Sequence, residues 1–235
     1  MTERTKLSCE LLVDQVYRDI RRRIINGELM PGSRLGTRLL CEFYGISDTP
    51  LKQALNRLLS EGLVEALPHR GMRVRRLEQN DIREAIEARI MIESYAVDAA
   101  IRSAEVGSDL IERLEANIEE DRRLILEAGD LSIYSETAEK ELEVSQRFHE
   151  MLVENVQNGV ILRAYRNIIN HRYIYYQFNI NKRKQVLSSL DEHEQILDCL
   201  RRRDADGMRR AILHHLETRE YDVSSAYRST TEEKL

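Results

Sequence analysis

Three of the six histidines in this chain of 235 residues are placed so that they could share one metal ion. His149 follows Phe148 in an amphipathic stretch, and His193 and His215 open and close a two-helix segment, 22 residues apart. Antiparallel helices can return such positions to one level of a bundle, where three helices would aim three imidazoles inward. Imidazole suits zinc and similar transition metals. Spacing also allows the plainer reading, in which each is an ordinary core or surface histidine. His214 is one residue from His215, about 100° around a helix, and faces elsewhere. His69 lies in a turn, and His171 has no evident role. Hydrolysis at the cluster would need a general base or nucleophile, yet neither HExxH nor GxSxG occurs.

A second chemistry lies in residues 47–74, SDTPLKQALNRLLSEGLVEALPHRGMRV. Ser47 and Thr49 are helix-cap types, and Pro50 suits a first helical turn. Leu51, Leu55, Leu58 and Leu59 recur at helical spacing, and Gly62 ends the helix. Lys52 and Asn56 fall on the face away from the leucines. Residues 63–66 and 72–74 bracket Pro68-His69-Arg70-Gly71, which predicts a turn between two short strands. Before this lies LGTRLLCEFY, read as a shorter helix with Leu35, Leu39, Leu40 and Phe43 inward, broken by Gly45. Two helices joined by a tight turn make a helix-turn-helix, and the strands make a wing.

Composition divides the chain at the same place. Residues 1–76 carry 14 Lys and Arg against 9 Asp and Glu, a surplus of five. Residues 77–235 carry 22 against 32, a deficit of ten. A basic module on an acidic body suits one nucleic-acid-binding domain, residues 1–76, and one that is not, residues 77–235. All three prolines, Pro31, Pro50 and Pro68, precede the boundary. Beyond it only Gly107, Gly129, Gly159 and Gly207 interrupt long amphipathic stretches, the punctuation of a helical bundle. The fold class is therefore mainly α.

In chain order the periodicity predicts helices over 10–26, 81–105, 108–127, 130–156, 158–188, 190–203 and 205–227. Leu12, Val16, Ile20 and Ile24 give the first its buried face. Ile82, Ile86, Ile90, Tyr95 and Val97 supply the second. The triplet Arg21-Arg22-Arg23 reads as a solvated helix end favoured by the macrodipole. No apolar run reaches membrane-spanning length, and MTERTKLSCE has no signal-peptide core. Three cysteines, Cys9, Cys41 and Cys199, without metal spacing fit reduced thiols. These features point to a cytoplasmic protein with no membrane partner.

NGELMPGSRL, LLCEFYGISDTPLKQALNRLLSEGLV and PHRGMRV together resemble the winged helix-turn-helix of the GntR family of bacterial transcription regulators. EARIMIESYAVDAA, then FHEML with Asn158 downstream, then HEQILDCLRRRDADGMRRAILHHL, resembles the all-helical effector domain of the FadR subfamily, called FCD. The resemblance implies an operator-binding homodimer, a palindromic duplex site, and a bundle enclosing a small-molecule pocket. It implies a divalent metal, held there by an Asp and three His: His149, His193 and His215 in this chain. Arg89 falls where the family has an arginine near the effector, suited to a carboxylate, with an intrahelical pair to Glu93 as its plainer role. Tyr173 and Tyr176, from YIYYQF, would line the same cavity.

Two departures from the family pattern matter. The metal-binding Asp, four residues before the first His, is Ser145 here, and a neutral hydroxyl substitutes poorly for a carboxylate. The site is then three His with water or effector, suited to Zn, Ni or Mn, or it is metal-free. Where the family has Arg in the turn and again on the helix, this chain has Asp48 and Lys52. Arg grips guanine with a fork, whereas Lys is a point charge, and Asp48 repels phosphate but can accept from cytosine N4. Contacts to DNA are expected from Arg34, Ser47, Asp48, Thr49, Lys52, Arg70 and Gly71, with altered sequence preference.

The expected function is a transcription regulator, a repressor, whose operator binding answers to an organic acid. The competing readings are a metal-dependent hydrolase using the three-His cluster and an effector-binding protein with a degenerate DNA-binding head.

Overall fold

The structure is a computed structural model that describes residues 4–25, 28–68, 71–76, 79–127, 136–170 and 182–232. These form two compact units whose main boundary falls between residues 78 and 79.

The first unit contains α1 (Arg4–Ile25), β1 (Arg34–Leu35), α2 (Thr37–Tyr44), α3 (Asp48–Ser60), β2 (Val64–Leu67) and β3 (Gly71–Val74). Val16, Ile20 and Ile24 of α1 are buried with Leu51, Leu55 and Leu58 of α3, as their spacing predicts. Helix α3 ends because Gly62 takes a left-handed conformation, φ 73°. Leu63 N–H then reaches Leu58 O at 3.0 Å and Gly62 N–H reaches Leu59 O at 3.1 Å, which satisfies two terminal carbonyls. Gly45 plays the same part after α2, at φ 63°.

Two expectations change here. The wing has three strands, in the order β1-β3-β2, with Leu35 opposite Met72 and Val64 opposite Val74. Leu35 enters the core from a strand, not from a helix. Residues Leu39 and Phe43, read as inward, are 71% and 60% exposed. The eight-residue α2 packs on α3 but fully buries none of its residues, so its two turns leave these side chains facing out. Phe43 instead carries the Arg23 guanidinium 4.5 Å above its ring and meets Tyr44 edge-on.

The second unit contains α4 (Gln79–Glu105), α5 (Leu110–Glu127), α6 (Glu136–Glu154), α7 (Gly159–Asn170), α8 (Lys182–Arg201) and α9 (Ala205–Glu232). Helix α9 packs on α4 and α8, and α5 on α6 and α8. Leu114, Ile125, Phe148, Leu152, Leu197, Ile212 and Leu216 share the main core. The helix expected to begin at residue 190 begins at Lys182, so residues 182–188 belong to it and not to the preceding helix. Tyr95, expected on a buried face, is exposed. No helix among the described residues is long and apolar enough to cross a membrane.

Caps fix where these helices start. Asn158 Oδ1 accepts Val160 N–H at 2.9 Å to open α7, and Asp204 Oδ1 accepts Gly207 N–H at 2.8 Å to open α9. Between α8 and α9, Arg203 sits at φ 59°, a conformation that costs a non-glycine residue ~1 kcal/mol. Its guanidinium offsets this by donating to Leu200 O and Ala104 O, both at 2.8 Å. This joint ties the α8–α9 hairpin to the end of α4.

Candidate functional site

His149 from α6, His193 from α8 and His215 from α9 are each buried, and one ring nitrogen from each lies within 4.8 Å of the others. His149 Nε2 and His193 Nε2 are 3.0 Å apart. The His193 ring lies flat on Phe148, with centroids 4.4 Å apart, which fixes its rotation. The rings of His149 and His215 stack at 4.9 Å.

Two carboxylates set the chemistry of these rings from behind. Glu93 Oε2 lies 2.8 Å from His149 Nδ1, and Glu192 Oε2 lies 2.7 Å from His215 Nδ1. An ionised carboxylate only accepts, so each Nδ1 carries the proton and donates. In a neutral ring the Nε2 then keeps its lone pair. The same contact makes the imidazole a stronger ligand and holds its orientation.

Glu93 is the hub of this arrangement. It accepts from Arg89 Nε at 2.9 Å and from the Tyr165 hydroxyl at 2.7 Å, besides His149. Burial pushes the Glu93 carboxyl up, but the Arg89 guanidinium, then His149 and the hydrogen bonds, outweigh it and hold it well below the usual range. The Tyr165 hydroxyl is pushed far up by burial and by the Glu93 charge, so it remains a donor. Arg89 is buried, and neither of its terminal nitrogens makes a hydrogen bond among the described residues. A buried charged donor left in that state is costly, at least ~1–3 kcal/mol, and N–H groups in this fork suit an oxygen-bearing ligand.

The donor set fits a divalent transition metal. Two nitrogens bound to one ion at ~2.0–2.1 Å sit ~3 Å apart, the separation of His149 and His193 Nε2. Ser145 is buried one turn before His149, so the place that the resemblance reserves for Asp holds a hydroxyl. The negative charge that position would supply comes instead from Glu93 and Glu192, one atom shell back. Sequence reasoning missed these two in this role, and Tyr165 entirely. The adjacency of Glu192 and His193 was a weak signal; the 56 residues between Glu93 and His149 gave none. His214 is exposed, while His215 beside it is buried. Tyr173 and Tyr176 lie outside the described residues.

On the first unit, α3 presents Ser47, Asp48, Thr49 and Lys52 together on an exposed surface at its N-terminal end. Ser47 is the N-cap by position, but its side chain makes no capping hydrogen bond. Lys52 Nζ pairs with Asp48 Oδ2 across one turn. Arg34 is exposed on β1, opposite Arg73 of β3, and Gly71 opens β3 at φ 82°. Arg70 lies outside the described residues.

A helix-turn-helix with a three-stranded wing, followed by a helical bundle with a buried polar site, defines a class: DNA-binding regulators with a ligand-responsive second domain. Residues 12–74 match the family described as bacterial regulatory proteins, gntR family, and residues 84–218 match the FCD domain. The chain belongs to this family: it is a GntR-type transcription regulator with an FCD domain. It is 26% identical to the HTH-type transcriptional regulator YdhC of Bacillus subtilis, over 86% of each chain. It is 25% identical to the HTH-type transcriptional repressor RspR of Escherichia coli, over 99% of this chain and 96% of that one. In fold it is similar to McbR/YncC of E. coli, with TM-score 0.72 at 19% identity, covering 92% and 98%. It is also similar to a metal-free FCD domain of TM0439, with TM-score 0.52 at 18% identity, covering 66% and 99%.

Proposed function

We propose that this protein is a repressor that binds a palindromic operator as a homodimer and responds to a carboxylate effector in the FCD domain. Residues 1–76 are the DNA-binding domain, and residues 77–235 hold the effector and the dimer contact. The observation that carries the effector reading is the buried Arg89, whose two terminal nitrogens have no hydrogen bond of good geometry among the described residues, tied through Glu93 to the three-histidine cluster. A carboxylate would engage Arg89 through a forked pair of hydrogen bonds.

His149, His193 and His215 would hold a divalent ion such as Zn, Ni or Mn, and that ion would supply positions open to effector oxygens. Arg89 would orient the same carboxylate, and Tyr165 would keep Glu93 in place. Metal loading and effector affinity are then coupled. Repression is supported by likeness to a relative named as a repressor. Arg34, Ser47, Asp48, Thr49, Lys52, Arg70 and Gly71 are the proposed DNA contacts, and Tyr173 and Tyr176 further effector contacts.

The test is duplex binding by the full chain at several salt concentrations, with and without added zinc and a panel of small carboxylic acids. Affinity falls steeply with salt, two protomers bind per duplex, and one class of acid releases the DNA. A single protomer per duplex, or no acid that alters binding, removes the corresponding part of the proposal. Elemental analysis of untagged protein, repeated on His193→Ala, tests the metal separately.

A further inference from the structure

The helix that faces DNA carries its own counter-charge. Asp48 lies in the first turn of α3 and Lys52 one turn on; they pair with each other, and both are more than half exposed. Other exposed cations of the head are tied in the same manner: Arg38 to Glu42, Arg57 to Asp14, and Arg73 to Glu65. A carboxylate at this end of the helix repels phosphate, and a lysine already neutralised gives little of the counterion release that drives backbone binding. The pair is therefore ill suited to grip the sugar-phosphate chain.

What it does offer is a hydrogen-bond acceptor held beside a donor. The first turn of the second helix of a helix-turn-helix is where side chains reach base edges in the major groove. There a C·G pair shows one donor, cytosine N4, beside two adjacent acceptors, guanine O6 and N7. An A·T pair sets its donor between two acceptors, next to the thymine methyl, which leaves an ammonium no adjacent pair of acceptors.

We infer that Asp48 and Lys52 act as one reading unit for a single C·G base pair in each half-site, Asp48 accepting from cytosine N4 and Lys52 donating to the paired guanine. The inference rests on the reading of α3 as the DNA-contacting helix. Each residue then does more with its partner than alone: Asp48 places the ammonium, and Lys52 neutralises the charge that would otherwise be repelled by the backbone.

The experiment is selection from a pool of random-sequence duplexes with the full chain, run beside Asp48→Asn and Lys52→Ala, followed by affinity measurements on the selected and on unselected DNA. The wild type should fix a C·G pair at one position of each half-site. Asp48→Asn, nearly isosteric, should lose about tenfold discrimination at that position and keep the others. It should also bind unselected duplex more tightly, because a repelling charge is gone and Lys52 is released. Lys52→Ala should lose discrimination at the same position while binding unselected duplex less tightly. A folding defect would weaken both kinds of binding together. If Asp48→Asn selects the same base as the wild type at every position, or if the responsive position is A·T, the inference is overturned while the regulator reading stands. If the wild type selects no sequence at all, both fall.

Discussion

Arg38–Glu42 in α2 and Arg89–Glu93 in α4 are the same two residue types at the same spacing of four, with N–O distances of 3.0 and 2.9 Å. The first pair is 91% and 61% exposed, the second 3% and 0%. In the head the pair lies in water, where attraction is screened and each ion keeps its hydration. In the bundle the pair has lost its water, and Glu93 must serve Arg89, His149 and Tyr165 at once. The same local motif is a solvated surface feature in one domain and the frame of a buried polar cluster in the other. What separates them is only which face of the helix the rest of the chain covers.

The largest effect is expected where that comparison is broken from the buried side. Glu93→Ala strands the Arg89 charge in the interior and should destabilise the protein by about 3–5 kcal/mol in urea unfolding. A carboxylate ligand that pairs with Arg89 should recover part of the loss. Unchanged stability would mean that water reaches Arg89 and that the pair is not sealed.

Glu192→Gln comes next. It keeps the shape but removes the charge behind His215, and metal affinity by competitive titration should fall about 10–100-fold with little change in stability. If affinity is unaltered, His215 does not need its carboxylate. Ser145→Asp works in the opposite sense: it restores a charged ligand and should tighten the metal.

Smaller still is a pH effect to which the head contributes. The Tyr17 hydroxyl donates to both Glu61 oxygens, at 2.7 and 2.8 Å, and the Tyr44 hydroxyl donates to Asp19 at 2.7 Å. Burial, and then the carboxylate partner, raises both hydroxyls well above their ordinary value. The folded state keeps a proton that the unfolded chain gives up near pH ~10, so this stability is full below that pH and is lost as pH rises through the folded values. Thermal stability should therefore fall as the pH rises above about 10, and Tyr17→Phe with Tyr44→Phe should reduce that dependence, leaving the part that Tyr165 contributes in the same sense. The smallest change is expected for Glu42→Ala, under about 0.5 kcal/mol, which is all an exposed pair at this spacing contributes.

The sequence by itself determined what depends on neighbours within one or two turns. Leu51, Leu55 and Leu58 fall on one face because an α-helix repeats every 3.6 residues, and they are buried. Gly62 ends α3 because a left-handed residue is needed there. The three histidines were legible as a set through helix spacing and the FCD resemblance. Tertiary structure alone decided the rest. Arg34-Leu35 became a strand because β3 lay beside it to accept the pairing, and Leu39 and Phe43 lie at the surface. Helix α8 begins at Lys182, well before the apolar pattern suggested, and Val186 in this early part is buried in the main core. Glu93 and His149 stand 56 residues apart, and Glu192 and His215 stand 23 apart. Their contacts exist because separate helices are brought together by apolar burial on other faces, and no pattern along the chain encodes which polar side chains that burial will make neighbours.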